Sequence, residues 1–162
     1  MNSRFRPIRS VDPQGKDALS LLREAAIEAR ALYPEFHEEG APWPSNAPTP
    51  TGGIYLVAYD AESPVGCGAL RPIDEKTVEV RRMYVLKSAR RSGQAKEILA
   101  LLESQAAQMG YAVMRLETGN RQQPAMALYE SFGFQRIPSF GEYAIDPTSV
   151  CYEKHLVEQT DA

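Results

Sequence analysis

Cysteine and histidine are scarce in this chain, with two of each, and neither type falls into a ligand pattern. Cys67 and Cys151 lie far apart in apolar runs, no Cys-x-x-Cys occurs, and His37 and His155 stand alone. That spacing excludes the common zinc frameworks, and no metal is expected. It suits two buried thiols in a reducing cytoplasm rather than a disulfide. Long apolar runs are missing too. Nothing approaches the ~20 residues that span a bilayer, and the opening MNSRFRPIRS has no apolar signal core. A cytoplasmic protein without a membrane partner is expected. Positive charge is not in excess: 18 Lys and Arg stand against 21 Asp and Glu, a net charge of −3. Nucleic-acid affinity rests on neutralising phosphates, so a general nucleic-acid partner is not expected. Internal repeats and coiled-coil heptads are absent, and the one biased tract is rich in proline. The 162 residues can bury roughly two-thirds of their unfolded surface, and they read as a single domain over 1–162.

Against these absences, Val78 to Met109 is dense in signals. Thr77 to Leu86 has the β-branched and aromatic content and the alternation of a strand. From Ala95 onward, Ile98, Leu99, Leu102, Ala106 and Met109 recur at helical spacing and form one apolar face. Between them, Lys87-Ser88-Ala89-Arg90-Arg91-Ser92-Gly93-Gln94 is a small, basic turn that opens onto a helix N-terminus. A strand, a tight turn and a helix in that order leave unpaired N–H groups at the positive end of the helix dipole. That is an anion site, with phosphate as the expected anion. A nucleotide P-loop would need Gly-Lys-Ser/Thr here, but Gly93 is followed by Gln94-Ala95-Lys96. A dinucleotide turn would need three glycines, and this turn has one.

Arg90-x-x-Gly93-x-Ala95 instead resembles the Arg/Gln-x-x-Gly-x-Gly/Ala turn of the GCN5-related N-acetyltransferase (GNAT) superfamily, whose successive amides grip the pyrophosphate of coenzyme A. Glu79, eleven residues before Arg90, occupies the offset at which that family commonly carries an acidic strand residue. Asn120-x-x-x-x-Ala125-x-x-Leu128-Tyr129-x-x-x-Gly133-Phe134 is similar to the family's second signature, the helix whose tyrosine faces the thiol sulfur. The resemblance runs from about Gly66 to Phe134 and extends more weakly to His155. It implies an α/β (α+β) fold: a mixed, mostly antiparallel sheet of six to seven strands with helices on both faces, splayed at the acetyl-CoA site. It implies acetyl-CoA or coenzyme A as cosubstrate, bound by Met83, Tyr84 and Val85 of the splayed strand, by Arg90, Arg91, Ser92, Gly93, Gln94 and Ala95 of the turn, and by Asn120. The implied activity is transfer of an acetyl group to a primary amine of a small molecule, by direct attack in a ternary complex.

Read in order, Phe5 to Arg9 is a short strand, and Asp12-Pro13-Gln14-Gly15 starts a helix with Pro13 in its first turn. Ala18, Leu21, Leu22, Ala25, Ala26 and Ala29 mark its apolar face as far as Leu32. Tyr33 to Gly53 holds five prolines, which exclude a regular helix or a central strand, with a short helix around Pro34 to Glu39. A loop this long in a compact domain is usually functional. Ile54 to Tyr59 and Val65 to Arg71 form a hairpin across Asp60–Pro64. Ala112 to Thr118 is a strand, Gln123 to Phe132 a helix capped by Gly133, Phe134 to Ile137 a short strand and Val150 to Leu156 the last one. Hairpins followed by a β-α-β order give a mixed sheet with helices on both faces.

The chemistry narrows the candidates. An amine must be neutral to attack, yet a free alkylamine has a pKa near ~10, so a base contributes. Glu79 is the first candidate and Glu117 the second; Glu79 also reads as a strand carboxylate paired with Arg81 or Arg115. The resemblance assigns carbonyl polarisation to a backbone N–H of Met83–Val85, and protonation of the departing thiolate to Tyr129. Tyr129 also reads as a core aromatic beside Leu128. Asn120 either hydrogen-bonds the pantetheine or caps the following segment. On the acceptor side, the segment after the first helix commonly forms a wall in the resembled family. Tyr33 and Glu35, with Glu38, Glu39 and Trp43, would attract a cationic acceptor by charge and ring quadrupole, and Tyr143 would close the pocket. An anionic acceptor would point instead to Arg71 and Arg82. The alternative to an enzyme is a non-catalytic coenzyme A binding or sensing module, against which the presence of both Glu79 and Tyr129 speaks. A homodimer is compatible with the chain, and the acceptor's identity is not written in these motifs.

Overall fold

Strand β1 (Ile8–Ser10), helix α1 (Lys16–Leu32), strands β2 (Ile54–Asp60), β3 (Ser63–Pro72) and β4 (Thr77–Val85), helix α2 (Gln94–Gln108), strand β5 (Val113–Gly119), helix α3 (Gln123–Ser131), and strands β6 (Gln135–Ile137) and β7 (Ser149–His155) follow one another in the computed structural model, which describes residues 6–157. The strands form one seven-stranded sheet in the order β1-β2-β3-β4-β5-β7-β6. Every pairing is antiparallel except β4–β5, which the α2 crossover makes parallel. This is the mixed, mostly antiparallel sheet expected. Among the described residues no helix is long and apolar enough to cross a membrane.

Alternation along the strands feeds two cores. On β2, Leu56 and Ala58 join Val78, Val80, Met114 and Leu116 beneath Ile98, Leu99, Leu102 and Ala106 of α2 and Tyr129 of α3. Tyr55, Val57 and Tyr59 point the other way, with Cys67 and Ala69, onto Ala18 and Leu21 of α1. Ile98, Leu99 and Leu102 are fully buried, so truncating any of them to alanine should cost about 2–5 kcal/mol. Both cysteines are buried and unpaired, and burial pushes the Cys67 thiol up to about 12. They are core residues.

Several boundaries differ from the sequence reading. The Phe5 end of the first strand lies outside the described residues, and β1 begins only after Pro7. Pro13 is not helical. Asp12 accepts from the Gln14 amide through its side chain at 2.9 Å and from the Gly15 amide through its carbonyl at 3.0 Å. This local turn competes with helix and delays α1 to Lys16. The short helix in the proline-rich stretch shrinks to a single 3₁₀ turn, Pro34–Phe36. The remainder is irregular but pinned. Arg30 Nη2 donates to the Ala41 and Pro42 carbonyls at 3.2 and 2.7 Å. Arg23 and Arg30 both lie over the Trp43 ring, and buried Asn46 donates to the Pro13 carbonyl at 2.8 Å.

Candidate active site

Strands β4 and β5 pair only from Thr77–Val113 to Val80–Leu116. Beyond Val80, β4 continues to Val85 along β3 but no longer along β5, so the sheet opens into a V. A bulge sits at the opening. Cys67 pairs with Tyr84 and Ala69 with Arg81, leaving Arg82 and Met83 opposite Gly68 alone. Arg82 takes φ +60, a left-handed conformation that costs an arginine about 1–3 kcal/mol and persists only where its surroundings enforce it. They do: the Cys67 thiol donates to the Arg82 carbonyl at 3.1 Å, and Arg82 Nε donates to Asn46 Oδ1 at 2.9 Å. Gly68 is required opposite, because a Cβ there would lie 2.7 Å from the Met83 sulfur and 2.8 Å from Ile98.

The turn before α2 meets the edge of this opening. Gly93 caps the helix at φ +79, and a Cβ built on it would meet nothing within 4 Å. Among the described residues, the amides from Arg91 to Lys96 donate no hydrogen bond; the first helical bond runs from the Glu97 amide to the Gly93 carbonyl at 3.0 Å. An exposed run of free donors at a helix N-terminus is an anion cradle. Gln94 adds a second sign, since its side chain is buried and, among the described residues, its Nε2 has no acceptor. The Arg90 side chain, by contrast, is already engaged. Its Nε donates to the Val85 carbonyl at 2.9 Å, and its Nη2 to both Glu28 oxygens at 2.8 Å. These residues fit a coenzyme A pyrophosphate through their main-chain amides, with the Arg90 side chain committed elsewhere. The side chain of Asn120 does not cap α3; the residue is held by its main chain, whose N–H donates to the Thr148 carbonyl and whose carbonyl accepts from Gln123 Nε2.

The candidate bases sit in different surroundings. Glu79 is only 3% exposed and is a hub. Arg71 Nη2 donates to its Oε1 at 2.9 Å, Tyr143 Oη donates to its Oε2 at 2.6 Å, and Arg81 Nη1 lies 3.6 Å from Oε2. The expected Arg81 partner is present, whereas Arg115 pairs with Glu153 instead. Glu117, on β5 across the V, has one neutral partner, the Ser149 hydroxyl at 2.6 Å. Burial lifts its carboxyl above the usual glutamate range, and the charges of Asp146 and Glu79 add to that lift. Tyr129 is buried against Phe134 and Tyr152. Burial raises its phenol, Glu117 raises it further, and among the described residues its hydroxyl makes no hydrogen bond.

The residues expected on the acceptor side have partners within the chain. Glu35 pairs with Arg121, not with a pocket, and the Tyr33 hydroxyl accepts from the Arg121 amide at 2.8 Å. Trp43 is covered by Arg23 and Arg30. Cations of the chain thus meet Glu35, Tyr33 and Trp43, and Arg121 lies too far along the sequence to be foreseen as a partner of the first two. A cleft of about 570 Å³ opens between α1 and the β4 bulge, lined by Leu21, Leu22, Ala25, Tyr55, Arg82 and Met83 among others. Asn46, missed by the sequence reading, holds Arg82 beside it; a lone polar residue in a proline-rich stretch gives no signal.

A model of the acetyltransferase (GNAT) family matches residues 19–134. The chain is 40% identical over 101 residues to an N-acetyltransferase of Bacillus subtilis, the uncharacterised YsnE, covering 61% of this chain and 67% of that one. It resembles the crystal structure of a Klebsiella pneumoniae protein with the provisional name acyl-CoA N-acyltransferase. That match has TM-score 0.78 at 30% identity and covers 96% of this chain and all of that one. A GNAT family acetyltransferase from Elizabethkingia anophelis, with acetyl-CoA bound, superposes with TM-score 0.65 at 19% identity over 93% and 98% of the two chains.

Proposed function

The chain belongs to the acetyltransferase (GNAT) family and is an acyltransferase, and on that premise we propose that it transfers an acetyl group from acetyl-CoA to a primary amine of a small molecule. The observation that carries this reading is the run of free amides from Arg91 to Lys96 beside a strand that leaves its neighbour after Val80. The relative from Elizabethkingia anophelis binds acetyl-CoA on the same fold, which supports the same cosubstrate here. When bound, acetyl-CoA supplies an acyl group activated as a thioester. In our reading the Arg91–Ala95 amides hold its pyrophosphate, with Gly93 leaving room for close approach. Amides of Met83–Val85, freed from β5, stabilise the charge that develops on the carbonyl oxygen.

Proton transfer falls to two side chains. Glu117 takes the amine proton as the new C–N bond forms, because its raised pKa suits a base near neutral pH better than an ordinary glutamate would. Tyr129 gives its proton to the sulfur as the C–S bond breaks, and burial keeps that phenol protonated until then. We place Glu79 second to Glu117 as base, since Arg71, Arg81 and Tyr143 already surround it. Its part in this reading is to order those three groups. The test is a mass-spectrometric screen of pooled primary amines with acetyl-CoA, which should return an acetylated product made by the wild type and lost with Glu117→Gln. Stabilisation by acetyl-CoA with no product from any amine would favour a binding module instead.

A further inference from the structure

The arginines around this site differ in one respect. Arg71, Arg81, Arg90, Arg115 and Arg121 each lie within 4.0 Å of a carboxylate. Arg82 and Arg30, which line the cleft, have no such partner among the described residues. Among the described residues, half-buried Arg82 is bonded only to neutral oxygens, Asn46 Oδ1 at 2.9 Å and the Ser45 carbonyl at 3.2 Å, and its Nη1 has no acceptor. Among the described residues Arg30 likewise donates only to the Ala41 and Pro42 carbonyls. Among the described residues, no aspartate or glutamate lines the cleft. A cation withdrawn from water without a counter-charge is costly. Burial and the neighbouring Arg81 both weigh against the charge on Arg82. A strained bulge and a buried asparagine nevertheless hold it at the cleft.

We propose that the acceptor is an apolar α-amino acid, an amine with a carboxylate on the same carbon, and that Arg82 receives that carboxylate. The proposal rests on the acetyltransferase reading and gives it a substrate class. Position argues for the shared carbon: Arg82 directly precedes Met83, in the segment assigned to the reacting carbonyl, so an anion at its guanidinium sits close to the attacking nitrogen. The apolar side chain follows from Leu21, Leu22, Ala25, Ala26 and Ala29, which form the α1 wall. A cleft of about 570 Å³ is in the range that holds one small molecule. Arg82 acts here as a specificity residue, since a guanidinium matches a carboxylate with paired donors.

The test compares matched trios built on leucine and on phenylalanine: the amino acid, its amide and the decarboxylated amine. For the wild type, kcat/KM should favour at least one amino acid over its two partners by about ten- to a hundred-fold, the usual worth of a charged hydrogen bond. In Arg82→Gln that ratio should fall toward unity through a higher KM for the amino acid, and Arg82→Lys should restore part of it. A wild type that prefers the amide or the decarboxylated amine overturns the proposal, as does an Arg82→Gln variant that lowers all three equally. The wild-type ratio decides the matter alone if the variants fail to fold. Acetyl-CoA that raises Tm while no member of either trio is consumed overturns the acceptor class and leaves cofactor binding standing. Acetyl-CoA that raises nothing overturns the acetyltransferase reading and this proposal with it.

Discussion

At the start of α2, the groups offered to a ligand are main-chain amides, and a single local stretch from Arg91 to Lys96 supplies them all. On the α1 face of the sheet the offered groups are side chains, gathered from α1, the 41–46 stretch, β4 and β5. The two halves should therefore fail in different ways. An amide cradle tolerates most side-chain replacements and is broken by anything that obstructs or charges its floor. A side-chain site is broken by isosteric changes that leave the backbone alone. Single substitutions can separate the two.

The largest effect should come from Glu117→Gln, which removes the proposed base and should lower kcat by roughly 10²–10⁴-fold while leaving the thermal shift by acetyl-CoA intact. The same variant should gain stability. A carboxyl whose folded pKa is raised favours folding below its unfolded value and loses that contribution as pH rises through the folded value. Glutamine does not titrate, so the variant's Tm should exceed the wild type's at pH ~7 and match it by pH ~4. Equal Tm values at both would remove the raised pKa from the account. Next comes Tyr129→Phe, with kcat lower by roughly ten- to a thousand-fold and unchanged acetyl-CoA affinity; wild-type turnover would leave Tyr129 as packing only. Glu79→Gln should act mainly on stability, because Arg71, Arg81 and Tyr143 lose their shared acceptor. A loss of about 1–3 kcal/mol would lower Tm by roughly 3–10 °C. The smallest effect should be that of Glu35→Gln. Its carboxylate faces exposed Arg121 rather than the cleft, so kcat/KM should change by less than about twofold. A larger rise in KM for a cationic amine would restore the acidic wall.

This division also explains what could be read in advance. The strand, turn and α2 were legible because their signals are local: alternation up to Leu86, the Gly93 punctuation, and the apolar spacing from Ile98 to Ala106. The mixed character of the sheet followed from hairpins and one β-α-β crossover. Helix starts were less legible, since Asp12 closes a turn that periodicity cannot see. The acceptor half was least legible. Glu35 meets Arg121, Arg82 meets Asn46, and Glu79 meets Tyr143, and each contact joins segments that only the folded sheet brings together. Composition suggested an acidic wall from Glu35, Glu38 and Glu39, whereas the charges that line the cleft are basic.

The most direct test is the melting temperature of the wild type and of Gly93→Asp, each with and without acetyl-CoA near a hundred times its Kd. Position 93 has room for a side chain and a left-handed φ that aspartate tolerates better than most residues, so the variant should fold. Its carboxylate would face the phosphates that the amides are proposed to hold. The account predicts a rise of roughly 5–10 °C for the wild type and none for Gly93→Asp. The same rise in both proteins would contradict it.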